Sequence, residues 1–185
     1  MIDSREAQAA LADITEMVAR VRQSRIYDIA SQIMIVAGVM VVAGNIGTYF
    51  VPYYGYYIWT GINVLNVAAA AVISMVSYRR TGVRAFDYRV LSAFLLFFGF
   101  GILCISVLGH FGWREMSVFW PTYFMLFYCL AGLWFGRAFL AIGLSIAVLT
   151  LIGYFFIGGA LFLLWMAAVN GGGLILSGFW MRWGE

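Results

Sequence analysis

Past residue 28 the chain runs in long apolar windows, interrupted only by short clusters of Gly, Pro, Arg or aromatic residues. Crossing the hydrocarbon core of a bilayer takes about 20 such residues, each rising about 1.5 Å in a helix. Windows of that length fall at 29–50, 56–77, 90–110, 116–135, 138–157 and 160–181. The tract 116–181 is too long for two helices and suits three, so it needs two breaks; Gly136-Arg137 and Ile157-Gly158-Gly159 supply them. Before residue 28 the pattern differs. Leu11, Ile14, Val18 and Val21 recur at spacings of three, four and three, one stripe of an amphipathic helix, with Asp3 and Glu6 as a capping pair at its start. The expected fold class is all-α: a six-transmembrane-helix bundle over residues 29–182, preceded by a cytoplasmic amphipathic helix within residues 1–28.

Composition agrees with the pattern. With 64% hydrophobic and 10% charged residues, against about 25% charged in an ordinary soluble domain, the chain cannot cover itself with a water-facing surface. The first apolar window is not a cleavable signal, because acids and arginines mix on its flank and the run is too long, so it stays in the mature protein. All eleven basic residues are arginines. A cytoplasmic N-terminus puts Arg5, Arg20, Arg22, Arg25, Arg79, Arg80, Arg84, Arg89, Arg137 and Arg182 on the inside and only Arg114 on the outside, a strong positive-inside bias. The expected location is a bacterial inner membrane, with both termini cytoplasmic. The net charge of +3 is then a matter of topology, and no nucleic-acid partner is expected.

The amphipathic stripe needs a cover, which the bilayer surface, a second copy of the helix or a soluble protein would each provide. Leu11, Ile14, Val18 and Val21, with Arg79, Arg80 and Arg84 in the 79–89 loop on the same side, form the expected partner-binding surface. Gly132 and Gly136 form a G-x-x-x-G pair for helix packing and offer a face for a homo-oligomer. Arg137, beside Trp134, Phe135 and Phe139, reads as a topology anchor whose guanidinium reaches the headgroups; the alternative is a buried charge. The aromatic run from Tyr49 to Trp59 reads as an interfacial belt, with a ligand cage as the alternative. Asn63 and Asn66 share a face of the second window, and Asn170 lies at similar depth in the sixth; they read either as a path for a neutral solute or as hydrogen-bonding glue. Small residues recur four apart in the sixth window, Ala167 with Gly171, Ala168 with Gly172 and Gly173 with Ser177, and read as positions for close helix packing; the alternative for Gly171, Gly172 and Gly173, which follow Asn170, is a helix irregularity.

Candidate chemistry is sparse. Beyond the N-terminal segment the only acids are Asp87, Glu115 and Glu185, none within a window, so carboxylate pairs and proton relays have no members. Gly143-Leu144-Ser145 opens like a nucleophile turn but lacks the closing glycine. His110, the single histidine, has no second ligand at metal or haem spacing. Cys104 and Cys129 sit at different depths and read as packing residues, too far apart to bond. No catalytic residue, cofactor or metal is expected. The function expected from sequence is a non-enzymatic sensory, regulatory or assembly subunit acting through its cytoplasmic face. The alternative is a facilitator for a small neutral solute or a lipid through an Asn-lined interior.

Overall fold

The computed structural model describes residues 4–81, 88–109 and 111–183; nearly all are helical, and no strand occurs among them. The first helix, α1 (Ser4–Phe50), is unbroken over 47 residues. No boundary appears at residue 28. The reason is compositional: the first glycine is Gly38 and the first proline Pro52, so nothing earlier interrupts the hydrogen-bond ladder. One 3₁₀ turn, Pro52–Tyr54, then leads into α2 (Gly55–Thr81). After it come α3 (Tyr88–Leu108), α4 (Trp113–Phe135) and α5 (Arg137–Phe156). The last apolar window is composite: α6 (Leu161–Met166), a π-helical segment Ala167–Gly172, and α7 (Gly173–Trp183).

Five of these stretches are long and apolar enough to cross a membrane: Ser24–Phe50, Pro52–Arg79, Trp113–Phe135, Arg137–Phe156 and Leu161–Trp183. In α3 the corresponding apolar run is the shorter Ser92–Leu108. Both breaks expected in the 116–181 tract are present. Gly136, at φ 129°, separates α4 from α5, and Gly159, at φ 63°, lies between α5 and α6. Each is a backbone conformation that a side chain disfavours.

The elements pack around two axes. α1 is flanked by α2 on one side and by the α6–π–α7 helix on another, while α4 and α5 form a tight antiparallel hairpin that closes against the last helix. Met34 of α1, Met125 of α4, Phe139, Ile142 and Ile146 of α5, and Leu174 and Met181 of α7 share one buried cluster. A smaller cluster, Val118, Phe162 and Met166, fills the opposite end. α3 leans on α4 through rings: Phe97 stacks on Tyr123 at 4.0 Å, and Tyr123 donates its hydroxyl to the Phe97 carbonyl at 2.8 Å.

The close approach of α1 to the last helix uses glycine on both sides. A Cβ placed on Gly38 would stand 2.6 Å from the Gly171 carbonyl oxygen, and one on Gly178 would stand 2.8 Å from that of Ser31. In lipid, helices gain little from burying apolar surface, so backbone contact of this kind carries association.

Gly38→Val should therefore lower stability in detergent by about 1–3 kcal/mol, the usual cost of overpacking. Gly172→Ala, where an added methyl meets open space, should change it by less than about 0.5 kcal/mol. Thermal unfolding followed by circular dichroism checks both, and equal melting of the two variants would remove the glycine contact as the joint between α1 and the last helix.

Candidate functional site

Most buried polar side chains satisfy themselves within their own helix. Asn45 donates to the Val41 carbonyl at 2.9 Å and Thr48 to that of Gly44 at 2.7 Å. The exposed Thr60 does the same, donating to the Tyr56 carbonyl at 2.8 Å. None of these three bonds is to another helix. Asn170 behaves differently. Its Nδ2 donates to Thr150 Oγ1 on α5 at 3.1 Å, the Thr150 hydroxyl lies 3.4 Å from Asn170 Oδ1, and Met166 Sδ lies 3.4 Å from the same Nδ2. Thr150 and Asn170 are both buried.

Asn170 sits inside the π-helical segment, and Thr150 on the neighbouring α5. A π turn accommodates one extra residue in the helix, which opens the ladder and shifts the register of everything after it. Here α6 and α7 answer to different neighbours. Around α6, Trp165 donates its indole N–H to the Leu149 carbonyl at 2.9 Å and packs over Gly153. Gly171, within the π segment, and Gly178 of α7 meet α1. The glycines at 171–173 thus do not break the helix; they let it change register while Asn170 stays bonded to α5.

A second polar assembly lies at the opposite end of the bundle, and sequence reasoning missed it. Arg114, in the first turn of α4, donates through Nη2 to the carbonyls of Tyr154 and Ile157, both at 2.6 Å. These are among the last carbonyls of α5, which have no partner in their own helix and lie at its negative end. The guanidinium also rests over the rings of Tyr154 and Phe162, at 5.3 and 5.2 Å. One arginine so ties the start of α4 to the end of α5 and the start of α6. Charge-assisted bonds of this type contribute about 1.5–3 kcal/mol. The available signal was an arginine one helical hairpin away from an uncapped helix end rich in aromatics.

The residues singled out from the sequence fall in separate places. Asn63 is exposed and Asn66 half-buried on α2. α1 stands between them and Asn170: Gly44 of α1 faces Ile62 and Trp59 on the α2 side, whereas Gly38 faces Gly171. Two surface grooves, one of 560 Å³ beside Glu115, Thr122 and Tyr154 and one of 390 Å³ beside Ser145, Ser177 and Trp180, have none of the three asparagines in their walls. The structure does not assemble them into one path.

Gly132 is taken up within the chain, against the backbone of Leu140, and Gly136 is the turn itself, its N–H bonded to the Gly132 carbonyl at 3.2 Å. The face offered for an oligomer is occupied by the α4–α5 hairpin. Arg137 is exposed at the first position of α5, in the hairpin where a headgroup anchor would stand. Tyr27 of α1 meets Phe139 ring to ring at 5.6 Å, so Arg25, Arg137 and Arg182 gather at one end of the bundle and Arg114 marks the other.

Leu11, Ile14 and Val21 are exposed on α1, and Arg79 is exposed at the far end of α2. Nothing is described for the side chains of Val18 and Arg80, and Arg84 and His110 lie outside the described residues. Cys104 and Cys129 are free thiols, half-buried. Among the described residues no three His, Cys, Asp or Glu side chains converge as a metal site would require. No protein family, curated protein or solved structure matches the chain.

Two measurements test these placements. Single changes Asn170→Leu and Thr150→Val should each cost about 1–2 kcal/mol, and the double variant less than their sum, as expected for a pair bonded between helices. Additive costs would mean the two side chains act independently. For the hairpin, Arg137→Lys should insert normally, whereas Arg137→Glu should misorient the helices after α4, read by reporter fusions following residue 183. Failure of the lysine variant alone would show that Arg137 acts through the specific geometry of its guanidinium and not as a headgroup anchor.

Proposed function

We propose that this chain is a non-enzymatic, six-span protein of a bacterial inner membrane, with both termini in the cytoplasm, that acts as a sensory, regulatory or assembly subunit. In this reading α3 provides the sixth crossing, and the part of α1 before Ser24 is the cytoplasmic amphipathic helix. The orientation rests on the gathering of arginines at the end of the bundle that carries the α4–α5 hairpin. The partner is a cytoplasmic protein that contacts residues 3–25 and the arginines of the 79–89 loop.

The observation that carries the proposal is the continuity of α1. A helix that runs without a joint from the exposed stripe to Gly38 moves as one body, so a load on Leu11 or Ile14 reaches the glycine contact with the last helix. That contact includes Gly171 of the π segment, where the register of the last helix is already offset. A regulatory subunit needs such a mechanical link between an external face and a packed core; a solute pathway needs a polar channel.

Deleting residues 1–24 should abolish recovery of the partner on purification from native membranes, identified by mass spectrometry, while the bundle still inserts. Recovery of every associated protein with the truncated chain would overturn the proposal.

A further inference from the structure

Glu115 is the one acid among the described residues after α1, and no hydrogen bond or ion pair there engages its carboxylate. Arg114 beside it is turned to the carbonyls of Tyr154 and Ile157. The carboxylate lies at the start of α4, its Oε2 so close over Gly112 that an added Cβ there would stand 2.5 Å from it. The positive end of the helix favours an ionised acid at that position. Glu115 is half-buried, at the edge of a span whose 23 residues cover about 35 Å, little more than the hydrocarbon core. A negative charge is thus held at the lip of the bilayer, with no counterion supplied by the described residues.

The groove of 560 Å³ opens from this lip, within the range of about 300–1,000 Å³ that small-molecule sites occupy. Glu115, Phe119, Thr122 and Leu126 follow one another at helical spacing down one face of α4 and line it, with Leu151 and Tyr154 of α5 opposite. Phe111, Phe119 and Tyr123 form a row of near-parallel rings, with 5.6 and 5.4 Å between successive centroids. Leu126 and Leu151 are exposed, so the groove opens sideways into the bilayer. One polar atom lies deeper: Thr122 Oγ1 is buried and without a hydrogen-bond partner. The hydroxyls of Thr48, Ser106 and Ser117 each donate to the carbonyl four residues back, and that of Tyr123 is spent on Phe97. Thr122 keeps its donor. It follows Glu115 by two turns on the same face, about 10 Å deeper.

An unpaired carboxylate at the lip and an unspent donor about 10 Å inside the hydrocarbon select the occupant. An acyl chain would leave both unmet. An inorganic cation would fill none of the apolar length and binds through several oxygen ligands, whereas no three His, Cys, Asp or Glu side chains converge among the described residues. An aminophospholipid would meet Glu115, but its polar atoms stay in the headgroup layer and only methylenes reach the depth of Thr122. We propose that the groove binds an amphiphilic organic cation dissolved in the bilayer. Its protonated amine donates to Glu115 beside the rings of Phe111 and Phe119, its apolar body lies along Leu126 and Leu151, and an oxygen within that body accepts from Thr122. Rings beside a carboxylate suit an ammonium, since both attract positive charge.

The probe is a benzophenone joined through an alkyl ether to a tertiary amine, its ketone oxygen serving both as acceptor and as photocross-linking group; the control carries a neutral amide in place of the amine. The full chain is placed in nanodiscs of phosphatidylcholine. Saturable labelling should map to the peptides that contain Leu126 or Leu151. Glu115→Gln should weaken binding of the amine by about tenfold, the equivalent of one charge-assisted bond, and so bring it to the level of the amide. Thr122→Val, which removes a hydroxyl bonded to nothing else in the chain, should weaken it by about threefold. Leu151→Trp, which fills the groove from its lipid side, should prevent labelling by both compounds, with circular dichroism reporting the fold of each variant. Equal binding of amine and amide to the unaltered chain overturns the proposal, even where a variant fails to fold. Undiminished binding to a folded Glu115→Gln chain overturns it as well. So does displacement of the probe by phosphatidylethanolamine added to the nanodiscs, which would make the groove a site for lipid headgroups.

Discussion

The backbone approach of α1 to the last helix is the contact that the rest of the bundle accommodates. In lipid, apolar side chains gain little by touching one another rather than acyl chains, so helices associate where small residues let main chains come close. Gly38 against Gly171, and Gly178 against Ser31, are such places. They fix the rotation of the last helix from Gly171 onward. α6 is fixed independently, by Trp165 on Leu149 and by Phe162 under the Arg114 guanidinium. A regular α-helix carries only one phase along its length. The π segment Ala167–Gly172 takes up the mismatch, and the bond from Asn170 to Thr150 supplies a polar contact within it. The irregularity follows from two packing demands on one helix.

Much of this architecture is legible in the residues. The apolar windows, the two breaks at Gly136 and Gly159, and the small residues of the last helix follow from hydropathy and from the conformations open to glycine alone. The change from amphipathic to uniformly apolar pattern near residue 28 coincides with no joint in α1. Pattern reports what surrounds a helix, whereas only proline, glycine or a cap reports where its backbone stops. The asparagines were read as one group because depth along a helix can be counted from sequence, while the side of the bundle that a helix occupies cannot. Asn63 and Asn170 share a depth and stand on different sides of α1.

Arg114 illustrates the same limit from the other direction. Counting charges assigned it to the sparse side of the membrane and gave it no further role. Its partners are carbonyl oxygens, which every residue has, so no sequence pattern identifies them; only the antiparallel closeness of α4 and α5 brings the end of one helix to the start of the other. The proposed regulatory reading draws on these tertiary features, the continuous α1 and the offset last helix, more than on any single side chain.

The Arg114 clamp also bears on the order in which the protein is built. Its acceptors, Tyr154 and Ile157, are synthesised after α4 and almost all of α5. Until then the guanidinium must stay hydrated or at the headgroups, and the last carbonyls of α5 have no cap. Both defects disappear together when the hairpin closes, and the turn at Gly136 holds the two helices side by side from the outset. α4 and α5 are thus best regarded as a single insertion unit, a pair that enters the bilayer together and then serves as the wall against which the final helix settles.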